Sequence, residues 1–269
     1  MKNKPIILPD LESKLYKKLK PIIQEWLNTD ISELIQKNSA YYKRDDHETI
    51  NNGITAQVEE KLKVIICPKI PKWVSPDILT ALGLVAITIT ATGYIMAGTH
   101  KLYLILVVAG LFLHWFGDSF DGSIARYRKR TRPKYGYYID HIIDAIAVII
   151  YGVGIGYSDF FRIDISLIFV CMYLALETHT LLVKSIENTF KYSFGLFGPT
   201  EIRIIGVIVA VYIYFSESSH FTVFNSTFTQ YDIALGIVDI VMFCILITNI
   251  ISKGIQLHKE DTRKWDTEK

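Results

Sequence analysis

Trp73-Val-Ser-Pro-Asp-Ile-Leu-Thr-Ala-Leu-Gly-Leu-Val-Ala-Ile-Thr-Ile-Thr-Ala-Thr-Gly-Tyr-Ile-Met-Ala97 carries a single charged side chain, Asp77, and nothing ionisable but a tyrosine after it. Ser75-Pro76 is the pattern of a helix N-cap followed by an N1 proline, because the serine oxygen can accept from an orphan amide and proline has no amide to satisfy. Trp73, between Lys69, Lys72 and the apolar run, suits the headgroup level of a bilayer. A spanning helix is therefore predicted over 77–97, a length that crosses a hydrocarbon core.

Working outward, five more apolar runs follow at about 102–120, 136–156, 164–185, 201–216 and 230–252. They account for a chain that is 50% hydrophobic with a mean hydropathy of +0.27. The expected fold is all-α and polytopic, with six transmembrane helices over 75–252 and a polar tail from 253 to 269. Loop charge sets the orientation. Arg126, Arg128, Lys129, Arg130, Arg132 and Lys134 follow the second run, and Lys253, Lys259, Arg263, Lys264 and Lys269 follow the sixth. The opposite loops hold only Lys101 and Arg162, and 217–229 has no Lys or Arg. The positive-inside rule puts both termini, and the loop after the second helix, in the cytoplasm.

Residues 1–74 are polar and Lys-rich, and they read as an amphipathic helical region at the cytosolic face. Leu11, Leu15, Leu19, Ile22 and Trp26 form one stripe, Asp30 and Glu33 resemble a capping box, and Ile54, Val58, Leu62 and Ile66 form another stripe. Such stripes lie on lipid headgroups or on the protein's own cytosolic surface. Met1-Lys-Asn-Lys-Pro has no apolar h-region, so no cleavable signal is expected. A net charge of +2 without a basic and aromatic stripe gives no reason to expect nucleic acid as a partner. Cys67, Cys171 and Cys244 are far apart, two of them in apolar runs, and read as small apolar fillers.

Chemistry is concentrated between the second and third runs: His114-Trp-Phe-Gly-Asp118-Ser-Phe-Asp121-Gly122-Ser-Ile-Ala125-Arg126, a basic loop, then Gly136-Tyr-Tyr-Ile-Asp140-His-Ile-Ile-Asp144. Asp118 and Asp121 are three apart and Asp140 and Asp144 four apart, so each pair shares a helix face. A short loop makes the two helices antiparallel neighbours, and four carboxylates meet at their cytoplasmic ends. Ionised aspartates at a membrane boundary are costly unless paired. Arg126 cannot neutralise four. Divalent cations can, and an all-oxygen donor set suits Mg²⁺ or Mn²⁺, with two ions able to brace the attacking and leaving oxygens of a displacement at phosphorus. Gly122 and Ala125 leave room at a helix end for a ligand, and Arg126 offers a fork to phosphate.

The pattern Asp118-x2-Asp121-Gly122-x2-Ala125-Arg126…Gly136-x3-Asp140-x3-Asp144 resembles the signature of the CDP-alcohol phosphotransferase family, with eight positions fixed across 27 residues. Nine residues separate Arg126 from Gly136 where that signature has eight, and the extra one falls in the basic loop. The resemblance implies an enzyme that moves a phosphoalcohol or phosphatidyl group from a CDP-alcohol donor to a lipid or alcohol acceptor and releases CMP. It implies that Asp118, Asp121, Asp140 and Asp144 hold two divalent ions, that Gly122, Ala125, Arg126 and Gly136 bind the CDP moiety, and that Asp144 is also the general base. Asp140-His141, Trp73-Val-Ser-Pro and Gly198-Pro199-Thr200-Glu201 resemble the choline and ethanolamine branch, in which CDP-choline or CDP-ethanolamine is the donor and diacylglycerol the acceptor. A CDP-diacylglycerol-dependent transfer to a polar alcohol is the alternative, and a divalent-cation transporter is the alternative outside this class, since membrane carboxylates also mark ion pathways.

Four further features stand out. Gly152, Gly154 and Gly156 imply close helix packing, and Gly152-x3-Gly156 could serve a homodimer contact. Glu177 and His179 are ionisable within an apolar run but two apart, so they face different ways. Arg203 is expected to snorkel to lipid headgroups, with a substrate phosphate as the other partner. Asn225-Ser-Thr matches a glycosylation sequon.

Overall fold

Among the described residues, seven α-helices carry the fold. They are α1 (Ala56–Ile66), α2 (Pro76–Ala97), α3 (Leu104–Tyr127), α4 (Pro133–Gly156), α5 (Ile163–Glu187), α6 (Pro199–Phe215) and α7 (Gln230–Thr267). The computed structural model describes residues 49–50, 55–187, 190–191, 199–223 and 226–267. The stripe at 11–26, the Asp30–Glu33 box, Ile54, Gly198 and Asn225 lie outside these residues. The described residues also include two small pairings: β1 (Thr49–Ile50) runs parallel to β2 (Phe190–Lys191), and β3 (His220–Val223) pairs antiparallel with β4 (Ser226–Thr229).

Among the described residues, five helices, α2, α3, α4, α5 and α7, are long and apolar enough to cross a membrane. The fifth apolar run forms α6, but its 17 residues give a rod of roughly 26 Å, shorter than the ~30 Å of a bilayer core. The sequence predicts six spanning helices; five of the described helices have that length, and α6 covers all but one residue of the run predicted at 201–216. The outward faces carry Ile105, Phe112, Ile208, Ile240 and Phe243 exposed. A soluble protein buries such residues, whereas a lipid-embedded one presents them to acyl chains.

Inside, α2 packs on α3 and α4, α3 on α6, α4 on α5, and α5 on α7. The α2–α3 contact is close because it is made through glycines. A methyl group on Gly117 would sit 2.8 Å from the Gly83 amide nitrogen, and one on Gly110 would sit 2.7 Å from the Ala86 carbonyl oxygen. Small residues let backbones approach where lipid supplies no hydrophobic drive between helices. Tyr94, Val107, Leu111, Ala210 and Ile213 form the core beneath that contact. Gly152 and Gly156 face Val170, Ser166 and Ile163 of α5, and Gly154 faces Ala91 of α2. The glycine face of α4 is thus occupied within the chain.

One end of the bundle is tied by loop contacts: Lys101 Nζ to the Ser216 carbonyl, the Arg162 amide to Asp232 at 2.7 Å, and the Thr229 hydroxyl to the Phe160 carbonyl at 2.7 Å. At the other end α1 rests on α3, with Leu62 and Ile66 packed against Leu79, Phe120 and Ile124 while Val58 is exposed. Two residues of the predicted stripe therefore lie on the protein's own surface. Arg128 caps α3, and its guanidinium donates to the carbonyls of Pro71 (2.8 Å) and Ile70 (3.2 Å), holding the segment that enters α2. The basic loop turns through Lys129 at φ 55°. All three cysteines are free.

Candidate active site

Asp118 and Asp121 stand in the C-terminal half of α3, and Asp140 and Asp144 in the N-terminal half of α4. Because the two helices are antiparallel and separated only by 128–132, these halves face each other. The four aspartates line one cleft of about 410 Å³, and Gly122, Ala125, Arg126 and Gly136 line it too. Its innermost part is bounded by Thr80, Gly83, His114 and Ile143 together with the same four acids. The eight spaced positions thus share one cavity at one end of the bundle.

Each acid has its own setting. Asp121 accepts from the Thr80 hydroxyl of α2 at 2.7 Å. Asp118 accepts from Arg203 Nη2 at 2.7 Å, and both side chains are largely buried. The same Arg203 nitrogen lies 3.3 Å from His114 Nε2. A guanidinium can only donate, so Nε2 is the acceptor, and Nδ1 carries the proton that goes to the Gly83 carbonyl at 3.1 Å. Arg203 therefore does not reach out to headgroups. It turns into the bundle because a carboxylate is buried opposite it. Arg126, for its part, donates to Ser123 Oγ at 3.2 Å.

Among the described residues, Asp140, His141 and Asp144 offer ligand atoms within 4.8 Å of one another. His141 Nδ1 lies 3.7 Å from Glu177 of α5, and the ring of Tyr137 stands edge-on to the imidazole. Glu177 therefore reaches this end of the bundle. Tyr135 and Tyr137 line the cleft, with Arg132 over the first ring at 4.3 Å and Lys184 over the second at 3.6 Å.

The cleft is also walled by residues from outside the spaced motif. α1 contributes Glu59 and Lys63, and α6 contributes Thr200 and Arg203. Glu59 is buried, pairs with Lys63 at 2.6 Å and accepts from the Thr200 hydroxyl at 2.7 Å. Glu201 on α6 in turn accepts from the amide and hydroxyl of Thr55, the N-cap of α1, at 2.9 and 2.8 Å. Each helix thus satisfies a donor at the start of the other. Burial is the largest influence on the Glu59 carboxyl and raises it, but the Lys63 charge and hydrogen bonds from Lys63, Thr200 and Ser119 outweigh burial and hold it below the ordinary glutamate range.

The donor set fits hard divalent cations: converging carboxylates without a thiolate, in a cleft roomy enough for phosphate. The family model for CDP-alcohol phosphatidyltransferase matches residues 73–251, which include every one of the eight spaced positions. The chain belongs to the CDP-alcohol phosphatidyltransferase family. As a CDP-alcohol phosphatidyltransferase it is a transferase of phosphate-containing groups, using a CDP-alcohol donor and an alcohol or lipid acceptor, within a multi-pass membrane protein. Membership in this family, whose members use divalent metals, sets the chain apart from the cation transporters that membrane carboxylates also mark. No curated protein matches the chain.

Proposed function

We propose that this transferase moves a phosphoaminoalcohol from CDP-choline or CDP-ethanolamine to diacylglycerol, with the cleft open to the cytoplasm. The observation that carries the reading is that Asp118, Asp121, Asp140 and Asp144 share one cleft with Gly122, Ala125, Arg126 and Gly136. In favour of an aminoalcohol are Tyr135 and Tyr137 at the cleft, whose rings remain partly exposed beside the faces that Arg132 and Lys184 cover. Ring faces of this kind attract ammonium headgroups.

The four aspartates would hold two Mg²⁺ or Mn²⁺ ions, which when bound offset the charge of the diphosphate and of departing CMP. Arg126 is placed to fork onto a phosphate. Gly122 and Gly136 leave the approach open: a methyl group on Gly136 would meet nothing within 4 Å, and one on Gly122 only the Arg126 side chain. Asp144 is assigned as the base. The acceptor oxygen forms a bond to the phosphorus farther from cytidine, the bond from that phosphorus to the bridging oxygen breaks, CMP leaves, and the hydroxyl proton passes to the Asp144 carboxylate. The cytoplasmic setting follows from the basic loop beside the acids.

Purified protein in lipid nanodiscs, given labelled CDP-choline, CDP-ethanolamine or CDP-diacylglycerol with an acceptor panel, tests this directly. The expected product is phosphatidylcholine or phosphatidylethanolamine together with CMP, lost in Asp144→Asn. Product only from CDP-diacylglycerol would overturn the donor assignment, and wild-type activity in Asp144→Asn would remove it as base.

A further inference from the structure

Lys63 stands apart from the other lysines at this end of the protein. It belongs to a helix outside the family segment of 73–251, yet its side chain is only 11% exposed and lines the cleft with Asp118, Thr200 and Arg203. Its ammonium pairs with Glu59 at 2.6 Å and meets Glu60 at 3.5 Å. Withdrawing a lysine from water is costly, so its place in the cleft wall is specified by the groups around it. The placement also needs dedicated parts: Thr55 gripped by Glu201, and Glu59 gripped by Thr200, fix α1 against the start of α6. Arg203 projects into the cleft from that same α6, one turn further on. Two cations, one from each helix of a cross-linked pair, thereby face the cavity in which the aspartates gather.

We propose that Lys63 is a phosphate-binding residue of the transfer site, delivered by α1, and that Glu59 is a positioning residue that aims its ammonium. The ligand chemistry is a phosphate oxygen, from the diphosphate of the donor or from a phosphate on the acceptor. A lysine serves such a group as a mobile point charge with three donors, and Glu59 holds that charge in place until the phosphate arrives. The inference rests on reading the cleft as the CDP-alcohol site, and it extends that site beyond the family segment.

The test uses the full chain in nanodiscs, with CDP and Mg²⁺ as the binding probe, cytidine as the control, and KM measured for each substrate. The Thr55–Glu201 grip does not involve Lys63, and amide protection over 56–66 is measured in Lys63→Met to establish that the helix stays docked although Glu59 has lost its partner. For a donor phosphate, Lys63→Met weakens CDP binding about tenfold, the scale of one charge-assisted hydrogen bond, and leaves cytidine binding unchanged. For an acceptor phosphate, CDP binding holds and the KM for glycerol 3-phosphate rises by about the same factor. In either case Lys63→Arg recovers most of the loss, and Glu59→Gln, which keeps the ammonium, is milder than Lys63→Met. CDP affinity and all KM values at wild-type level in Lys63→Met would overturn the proposal. So would Lys63→Arg and Glu59→Gln as impaired as Lys63→Met, since that would make the pair a strut for α1. If the wild type neither binds CDP nor releases CMP, the reading of the cleft has failed instead.

Discussion

Arg203 Nη2 lies 2.7 Å from Asp118 Oδ2, joining α6 to α3 across 85 residues of sequence. Both side chains are largely buried, so each depends on the other for charge balance. Removing one partner of a buried pair typically costs about 3–5 kcal/mol, whereas removing both costs much less. Arg203→Met should therefore unfold markedly earlier than wild type in detergent. Asp118→Asn combined with Arg203→Met should recover part of the loss. Melting shifts that simply add would show that the two groups are not coupled.

Chelation should stop CMP release, and Mg²⁺ or Mn²⁺ should restore it. Asp121→Asn keeps the partner of the Thr80 hydroxyl but gives up a ligand charge. The expected result is at least a tenfold rise, roughly, in the metal concentration for half-maximal activity. An unchanged metal requirement in this variant would remove Asp121 from the ligand set.

Two glycines should separate folding from binding. A methyl group on Gly117 would press on the backbone of Gly83, so Gly117→Ala should destabilise by about 1–3 kcal/mol, as overpacking does. Gly136 has open space where its Cβ would be, and it lines the cleft. Gly136→Ala should melt like wild type and raise the KM for the CDP-alcohol. Thermal unfolding and steady-state kinetics on the two variants decide both points.

The hold of α1 on α6 should depend on pH. Since the folded-state pKa of Glu59 is below the ordinary value of 4.5, its contribution is fully present above that value and is lost as pH falls through the lowered one. Protection factors for amide exchange in 56–66, taken relative to the intrinsic rate at each pH, should be high near neutrality and fall in acid below 4.5. Glu59→Gln should flatten that dependence. Equal acid sensitivity in the variant would assign the effect to another group.

What could be read from sequence was what sits close in sequence. Runs of apolar residues announced the helices, and spacings of three and four put each aspartate pair on one face before any coordinates. Antiparallel geometry then required the two faces to meet. His114, Thr80, Glu59 and Lys63 were not legible as site residues, and Arg203 only as the lesser of two readings, because what brings each to the cleft is packing between elements far apart in the chain. The favoured expectation for Arg203 erred in this way: near a membrane face, an arginine with no acid on its own helix face looks like a snorkelling residue. Only the fold places Asp118 opposite it. A buried-charge argument held the one available hint, since four acids beside Arg126 implied that further cations must come from elsewhere.

α7 runs unbroken for 38 residues, with no proline between Gln230 and Thr267. At 1.5 Å per residue it is roughly 57 Å long, nearly twice the thickness of the hydrocarbon it crosses. Its last turns therefore stand clear of the hydrocarbon, and Lys253, Lys259 and Arg263 there are the side chains that anionic headgroups or water would meet.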